Sequence, residues 1–148
     1  MTQRIHASCV VLAGKGVLIR GASGSGKSSL AFAIIEAGGR LLADDYCDLS
    51  VCSGRLVATP PAATAGLLEL RGRGLLRLPH ERAAVIRLLV DLVGEAQMPR
   101  MPEPEDLKVE LLGVKLCRQP VPARSPLALA LVGAAFFVPD GARLGLAT

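Results

Sequence analysis

The residues most able to do chemistry form one run, Gly21-Ala22-Ser23-Gly24-Ser25-Gly26-Lys27-Ser28, which fits the pattern G-x-x-x-x-G-K-[ST]. In such a loop, backbone N–H groups and the start of the following helix hold phosphates. The lysine reaches the β and γ oxygens, and the final hydroxyl holds Mg²⁺. The sequence therefore predicts a nucleotide site formed by Gly21, Ala22, Ser23, Gly24, Ser25, Gly26, Lys27, Ser28 and Ser29.

The segments on either side of the loop suit this role. Gly16 to Arg20 is a short apolar segment of strand-forming residues, and Ser29 to Gly38 is typical of a helix that ends at glycine. A strand, a glycine-rich loop and a helix N-terminus, in this order, form the context in which the motif acts as a phosphate site.

Two adjacent carboxylates, Asp44 and Asp45, end the next apolar strand, which begins at Arg40. Ligands of open α/β sheets bind at the carboxyl ends of strands, so these groups are expected near the γ-phosphate. Neighbouring strand residues point to opposite faces, and we therefore expect the two to do different work. One would contact Mg²⁺ or its water shell, and the other would accept a proton from an attacking hydroxyl.

Length and composition restrict the class of protein. A chain of 148 residues is one domain long, spanning 1–148, and its 51% hydrophobic content with 3% aromatic residues predicts an aliphatic core. The shortage of aromatic residues argues against single-strand nucleic-acid binding. No apolar run approaches the roughly 18 residues of a membrane span. The four cysteines form no C-x-x-C pair, which disfavours a zinc site. Cys9, Cys47 and Cys52 lie in apolar, strand-like runs, which predicts buried thiols in a cytoplasmic protein.

The pattern along the chain predicts an α/β, P-loop kinase-type domain with a mixed central sheet, hairpins and a few flanking helices. A strand over Ile5–Ala13 turns at Gly14-Lys15 into the segment Gly16–Arg20, which predicts a hairpin that leads into the phosphate loop. The other predicted elements are a hairpin over Asp48–Thr59, a short helix or turn over Ala62–Leu70, a flexible basic loop over Arg71–Gly74, a strand in preference to a helix over Val85–Val93, a mobile loop over 94–106, a hairpin over Leu107–Arg118, a connector over Pro120–Pro126, a helix over Leu127–Phe137 and a loosely ordered tail over Val138–Thr148.

Several P-loop classes lack support. There is no N-K-x-D base-reading motif of GTP-binding switches and no L-S-G-G-Q signature of transport ATPases. Nucleoside monophosphate kinases remain open, because Arg71-Gly72-Arg73-Gly74 could serve as an arginine-bearing lid.

Four blocks together carry a family resemblance. The blocks are Gly16 to Ile19, the loop Gly21 to Ser28, Arg40 to Asp45, and Leu68-Glu69-Leu70-Arg71-Gly72-Arg73-Gly74-Leu75-Leu76. In this order they resemble the HPr kinase/phosphorylase family, whose own signature reads E-I-R-G-L-G-I. Val121 to Ser125 is similar to its V-x-P-G-R-N segment, from which Ala123 and Ser125 differ.

The resemblance implies an ATP- and Mg²⁺-dependent enzyme that phosphorylates a seryl hydroxyl of HPr, the phosphocarrier of the sugar phosphotransferase system. It also implies removal of that phosphate by inorganic phosphate, which releases pyrophosphate. By position, Asp44 is similar to the acid/base, and Lys27, which would reach the β and γ oxygens, is a further candidate catalytic residue. The same comparison places Ser28, Asp45 and Glu69 around the metal, His6 near the catalytic aspartate, where it could influence protonation, and Arg71 and Arg124 near the transferred phosphate or the partner protein.

Family members carry a domain before this unit, so the chain resembles a short form limited to the catalytic domain, and a homo-oligomer, a hexamer or trimer, is expected by resemblance. Two other functions stay open. One is a small-molecule kinase with the arginine loop as its lid, and the other is a nucleotide sensor without catalysis, which the carboxylate pair disfavours.

Overall fold

The computed structural model of the chain describes residues 1–138, which form eleven β-strands and two α-helices. The strands are β1 (Thr2–His6), β2 (Ser8–Leu12), β3 (Lys15–Arg20), β4 (Arg40–Ala43), β5 (Tyr46–Cys52), β6 (Arg55–Thr59), β7 (Leu67–Leu70), β8 (Gly74–Arg77), β9 (Ala84–Val93), β10 (Lys108–Leu111) and β11 (Val114–Pro122), and the helices are α1 (Lys27–Glu36) and α2 (Ala128–Phe137).

The main sheet is mixed and is organised around β9. Its strand order is β1-β5-β6-β9-β3-β2-β4, and β11 joins at β9 with β10 beside it. The first residues of β9 pair antiparallel with β6, and its later residues pair in parallel with both β3 and β11. The carboxyl ends of β3, β9 and β11 therefore meet at one edge. The strands β7 and β8 form a separate hairpin.

Apolar side chains cover both faces of the central strands. On one face Val17 and Ile19 of β3 pack with α1 and α2, and on the other Leu18 packs with residues of β5 and β6. Strands that are buried on both faces read as continuous apolar runs, as Gly16 to Ile19 does. Because α1 buries Leu30 and Ile34, one turn apart, it lies flat on the sheet and holds the loop at its N-terminus.

Three predicted hairpins and the strand at Val85–Val93 are confirmed. Residues 8–20 pair as β2 and β3, residues 46–59 as β5 and β6, and residues 108–118 as β10 and β11. The predicted helices at Ser29–Gly38 and Leu127–Phe137 correspond to α1 and α2. Neither helix is long and apolar enough to cross a membrane, within residues 1–138.

The single strand predicted over Ile5–Ala13 is wrong. It is interrupted at Ala7, where the chain leaves the pairing of β1 with β5 and enters the pairing of β2 with β3 and β4. Ala7 is fully buried, so the bend lies inside the core, and no glycine or proline in the sequence indicates it.

The segment after Pro61 also differs from its prediction. Ala62–Thr64 is a single 3₁₀ turn, and Leu67–Leu70 is the strand β7 rather than a helix. The basic loop is the turn of the β7–β8 hairpin, where Gly72 and Gly74 take φ of +89° and +104°. Left-handed φ favours glycine, which explains the spacing of these two residues.

Two later segments are more ordered than predicted. Residues 94–107 contain 3₁₀ turns at Glu95–Gln97 and Pro104–Leu107. The connector predicted from Pro120 is wrong in its first part, because β11 continues through Pro122 beside β9. Among described residues β10 covers β11 only as far as Cys117, and prolines are tolerated along the open strand edge beyond it. Of the predicted tail, residues 139–148 lie outside the described part of the chain.

Candidate active site

The loop between β3 and α1 has the backbone geometry that its glycines allow. Gly24 and Gly26 have φ of +78° and +101°, which a side chain would strain. At Gly21 the constraint is space, because a Cβ there would lie 2.5 Å from Ser25 Oγ and 3.0 Å from Leu92 Cβ. The loop is thus drawn tightly against β9.

The start of α1 presents several positive groups to one concave surface. The helix begins at Lys27 with no side-chain cap and no acidic residue in its first turn, so its first N–H groups are available to an anion. Lys27 is buried, and its Nζ donates to the carbonyls of Gly21 at 3.0 Å and Ala22 at 3.3 Å. The ammonium therefore lies inside the curl of the loop, where a phosphate would meet it.

Arg124 reaches the same loop from the end of β11. It has φ of +59°, and both Nε, at 3.0 Å, and Nη2 donate to the carbonyl of Gly24. Its side chain is exposed and extends over the loop. This contact connects residues 100 positions apart and brings a second cation to the loop.

Asp44 is the carboxylate that adjoins the loop. It is only 8% exposed and follows the last residue of β4. Ser28 Oγ lies 2.7 Å and 2.9 Å from its two oxygens, Ser8 Oγ donates at 2.8 Å, and the backbone N–H of Glu69 donates at 3.1 Å. These contacts hold the carboxylate beside the hydroxyl that in P-loop proteins ligates Mg²⁺.

Asp45 turns the other way because the chain makes a tight turn at this residue. Its φ is +69°, and the N–H of Tyr46 donates to the carbonyl of Asp44 at 2.8 Å. The Asp45 carboxylate lies 2.7 Å from His6 Nε2, and its side chain is 60% exposed. The two aspartates do face different surroundings, as predicted, but a turn with positive φ separates them, not the pleat of a strand.

The β7–β8 hairpin completes the site. Glu69 and Arg71 are exposed, and both line a cavity of about 1100 Å³ that also contains Lys27, Ser28, Asp44, Asp45 and Arg124. Among the predicted loop residues, Ser23, Gly24, Gly26 and Ser29 line the cavity as well, whereas Gly21, Ala22 and Ser25 do not. His6 reaches the cavity only through Asp45.

Two residues of the site were not identified from the sequence. Ser8 is fully buried, donates to Asp44 and accepts the N–H of Asp45 at 3.2 Å. Its position inside the apolar run after Ala7 is a usable signal, because a buried hydroxyl needs a partner. Tyr46 packs against His6 with ring centroids 5.3 Å apart, and no sequence pattern indicates that contact.

A cluster of opposite charges fixes the strand edge beneath the loop. Asp91 accepts from Arg20 Nε at 2.8 Å and from Arg118 Nε at 2.6 Å, which ties β9 to β3 and β11. Burial alone would raise the pKa of Asp91, but hydrogen bonds from Arg20 and then Arg118 outweigh it, and the pKa is lowered. Gly21 directly follows Arg20, so this cluster anchors the start of the loop.

The donor set fits a nucleotide with Mg²⁺. Ser25 Oγ is the one buried side-chain polar atom in residues 1–138 that has no partner, and it lies in the loop. The oxygens of Ser28 and Asp44 are adjacent and would serve as ligands. No group of three or more His, Cys, Asp or Glu side chains is arranged as a metal cage in the described part of the chain. Mg²⁺ in kinase sites does not require such a cage, because one or two carboxylates, waters and the substrate phosphates bind it.

Comparisons with known proteins agree on one family. The family described as HPr Serine kinase C-terminal domain matches residues 1–132. An HPr kinase/phosphorylase of Clostridium tetani is 43% identical over 76 residues, which are 51% of this chain and 25% of that protein. One of Geobacillus thermodenitrificans is 34% identical and covers 88% of this chain and 46% of that protein. The chain thus spans between a quarter and a half of the length of these curated relatives.

A solved structure extends the agreement to the fold. The Hpr(Ser) kinase/phosphatase from Coxiella burnetii matches with a TM-score of 0.79 at 27% identity, over 90% of this chain and 93% of that one. This match confirms the predicted α/β, P-loop kinase-type fold with its mixed sheet and few helices.

Proposed function

Because this chain belongs to the family of the HPr Serine kinase C-terminal domain, we propose that it is the catalytic unit of an ATP-dependent serine kinase that acts on HPr. The observation that carries the proposal is that one cavity contains both the phosphate loop, which would bind ATP, and a carboxylate that would accept the proton of the serine. Lys27 and Ser28 belong to the phosphate loop, and Asp45, which bonds to His6, lines the same cavity.

The donor half consists of the loop, Lys27 and Arg124. When bound, Mg²⁺ and ATP would supply the phosphoryl group and neutralise part of its charge. The N–H groups of the first turn of α1 and the Lys27 ammonium would hold the phosphates. Arg124 would add positive charge above Gly24, which favours the transition state. Ser28 and Asp44 would hold the metal, with the exposed Glu69 carboxylate as a further oxygen at the same cavity.

The contacts favour Asp45 as the proton acceptor. Asp44 is buried and already accepts two hydroxyls and an N–H, so it has little access to an acceptor. Asp45 is exposed and has one side-chain contact, His6. This division of roles is the reverse of the one implied by the family resemblance, which gave Asp44 as the acid/base and Asp45 as a metal group.

In the forward reaction Asp45 would take the proton of the seryl hydroxyl while the serine oxygen bonds to the phosphorus and the bond to ADP breaks. In the reverse direction an oxygen of inorganic phosphate would bond to the phosphorus while the bond from that phosphorus to the serine oxygen breaks. The protonated Asp45 would give its proton to the departing serine oxygen, and the products would be serine and pyrophosphate. Arg71 and Arg124, which line the cavity together with Lys27, would hold that phosphate. We also propose a homo-oligomer, as expected from the family.

Incubation of the protein with ATP, Mg²⁺ and HPr, followed by intact-mass spectrometry, tests the proposal. HPr should gain one phosphoryl group on a serine, and addition of inorganic phosphate should remove it and release pyrophosphate. An HPr variant with alanine at the modified serine is the matched control. Steady ATP hydrolysis with unmodified HPr would contradict a role as HPr kinase.

A further inference from the structure

The single tyrosine of the chain, Tyr46, lies next to the proposed proton acceptor. Its side chain is exposed, and its ring packs on the ring of His6 with centroids 5.3 Å apart and an angle of 38° between the planes. Tyr46 is absent from the lining of the nucleotide cavity. Tyr46 is therefore placed to act on His6 and not on the phosphates of a bound nucleotide.

The register of the sheet makes this contact specific. His6 and Tyr46 are directly opposed in the antiparallel pairing of β1 with β5, and opposed residues place their side chains on the same face. The next pair on that face is Arg4 and Asp48, whose side chains bond to each other at 2.7 Å and 3.2 Å. Arg4 and Asp48, the nearest charged residues on this face, therefore bond to each other and not to His6. The imidazole of His6 contacts Tyr46 and Asp45 instead.

The bond from His6 to Asp45 is too exposed to hold the imidazole by itself. The side chains of His6 and Asp45 are 35% and 60% exposed. Exposed pairs of this kind gain little, because water screens them and both side chains lose freedom. A flat aromatic surface removes much of that freedom, since the histidine ring can lie against it only in a narrow range of orientations.

We propose that Tyr46 is a positioning residue: its ring holds the imidazole of His6 so that Nε2 keeps the Asp45 carboxylate directed at the acceptor hydroxyl. This inference rests on the proposed role of Asp45 as proton acceptor. Tyr46 itself touches no reacting atom. The aromatic ring, and not the hydroxyl, orients the imidazole, so phenylalanine at this position should have the same effect as tyrosine.

Kinetics of HPr phosphorylation separate positioning from substrate contact. Tyr46→Ala should lower kcat by about 10- to 100-fold, the range expected when a catalytic group is displaced by a fraction of an ångström to one ångström. The KM values for ATP and HPr should stay unchanged, and Tyr46→Phe should restore kcat. Val51→Ala, at an exposed apolar residue of the same strand, is the matched control and should leave kcat unchanged.

Nuclear magnetic resonance tests the contact without any phosphoryl transfer. The chain has two histidines, His6 and His80, so the imidazole signals are easily assigned. The ring current of Tyr46 should displace the His6 signals, and the displacement should vanish in Tyr46→Ala, persist in Tyr46→Phe and leave His80 unaffected.

Three results would overturn the inference: His6 signals that do not respond to Tyr46→Ala, a Phe variant as slow as the Ala variant, or a raised KM for HPr with unchanged kcat. Thermal unfolding of both variants identifies any loss of fold. If the unsubstituted protein transfers no phosphate to HPr, the proposed function fails, whereas the His6 signals still decide whether Tyr46 holds the ring.

Discussion

Ser28 Oγ lies 2.7 Å and 2.9 Å from the two carboxylate oxygens of Asp44, which joins the end of the phosphate loop to the end of β4. The neighbouring Asp45 has no such contact and bonds to His6 instead. One aspartate thus lies beside the phosphate loop, and the other lies beside His6; in the proposed function the first holds the metal and the second accepts the proton.

This division predicts different defects in two variants. Asp44→Asn should raise the Mg²⁺ concentration needed for ATP binding by about tenfold or more, because a carboxylate charge beside the metal is lost. Asp45→Asn should leave ATP binding within about twofold and slow transfer by about 10²- to 10⁴-fold, the usual contribution of a general base. Calorimetry with ATP at several Mg²⁺ concentrations, with HPr phosphorylation rates, measures both. An equal rise of the required Mg²⁺ concentration in both variants would count against the division.

Lys27→Met should weaken ATP binding by about 10- to 100-fold, because it removes charge-assisted hydrogen bonds to phosphate worth about 1.5–3 kcal/mol. The buried side chain makes methionine, which is similar in length, the suitable replacement. Lys115→Met, at an exposed position of β11, is the control and should bind ATP normally. Titration calorimetry checks both, and unchanged affinity in Lys27→Met would mean that the ammonium does not face the phosphates.

Gly21→Ala should disrupt the loop through lack of space. The added Cβ would meet Ser25 Oγ at 2.5 Å and Leu92 Cβ at 3.0 Å, and overpacking of this kind costs about 1–3 kcal/mol. ATP binding should fall as well, since the loop must shift. The control is Gly133→Ala in α2, where no atom lies within 4 Å of the new Cβ and helix propensity predicts a gain of up to about 1 kcal/mol. Urea denaturation of both variants compares the two effects, and equal stability would contradict the crowding at Gly21.

Asp91→Asn should destabilise the fold by about 2 kcal/mol at neutral pH, because it leaves Arg20 and Arg118 without their shared carboxylate. The pKa of Asp91 is lowered from 3.8, so its contribution is fully present above that value and is lost as the pH falls through the folded-state pKa. The difference in unfolding free energy between the variant and the unsubstituted protein should therefore shrink below about pH 3.8.

Urea denaturation at pH 7 and at steps towards pH 3 measures this difference. Asp48→Asn serves as the control because Asp48 pairs with a single arginine, Arg4, whose side chain is 58% exposed, and its effect at pH 7 should be smaller than that of Asp91→Asn. A penalty for Asp91→Asn that is constant down to pH 3 would show that packing, not charge, accounts for it.

Local sequence patterns determined the elements of the donor half. Gly21 to Ser28, with an apolar strand before it and a helix after it, predicts the phosphate site because every part of that unit is contiguous in the chain. The hairpins around Gly14, Gly54 and Gly113 were predictable for the same reason, since a short turn with left-handed glycine decides the pairing of its two flanking strands.

Only the tertiary structure decided how the two aspartates divide their contacts. Asp45 leaves the strand pattern through its positive φ, so alternation along the strand does not predict where its carboxylate points. The hydrogen bond of Ser8 to Asp44 joins residues 36 positions apart, and that of His6 to Asp45 joins residues 39 positions apart. Both contacts depend on the bend at Ala7 and on the register of β1 with β5. A register is set by the packing of whole strands in the core, which residue types at a single position do not encode.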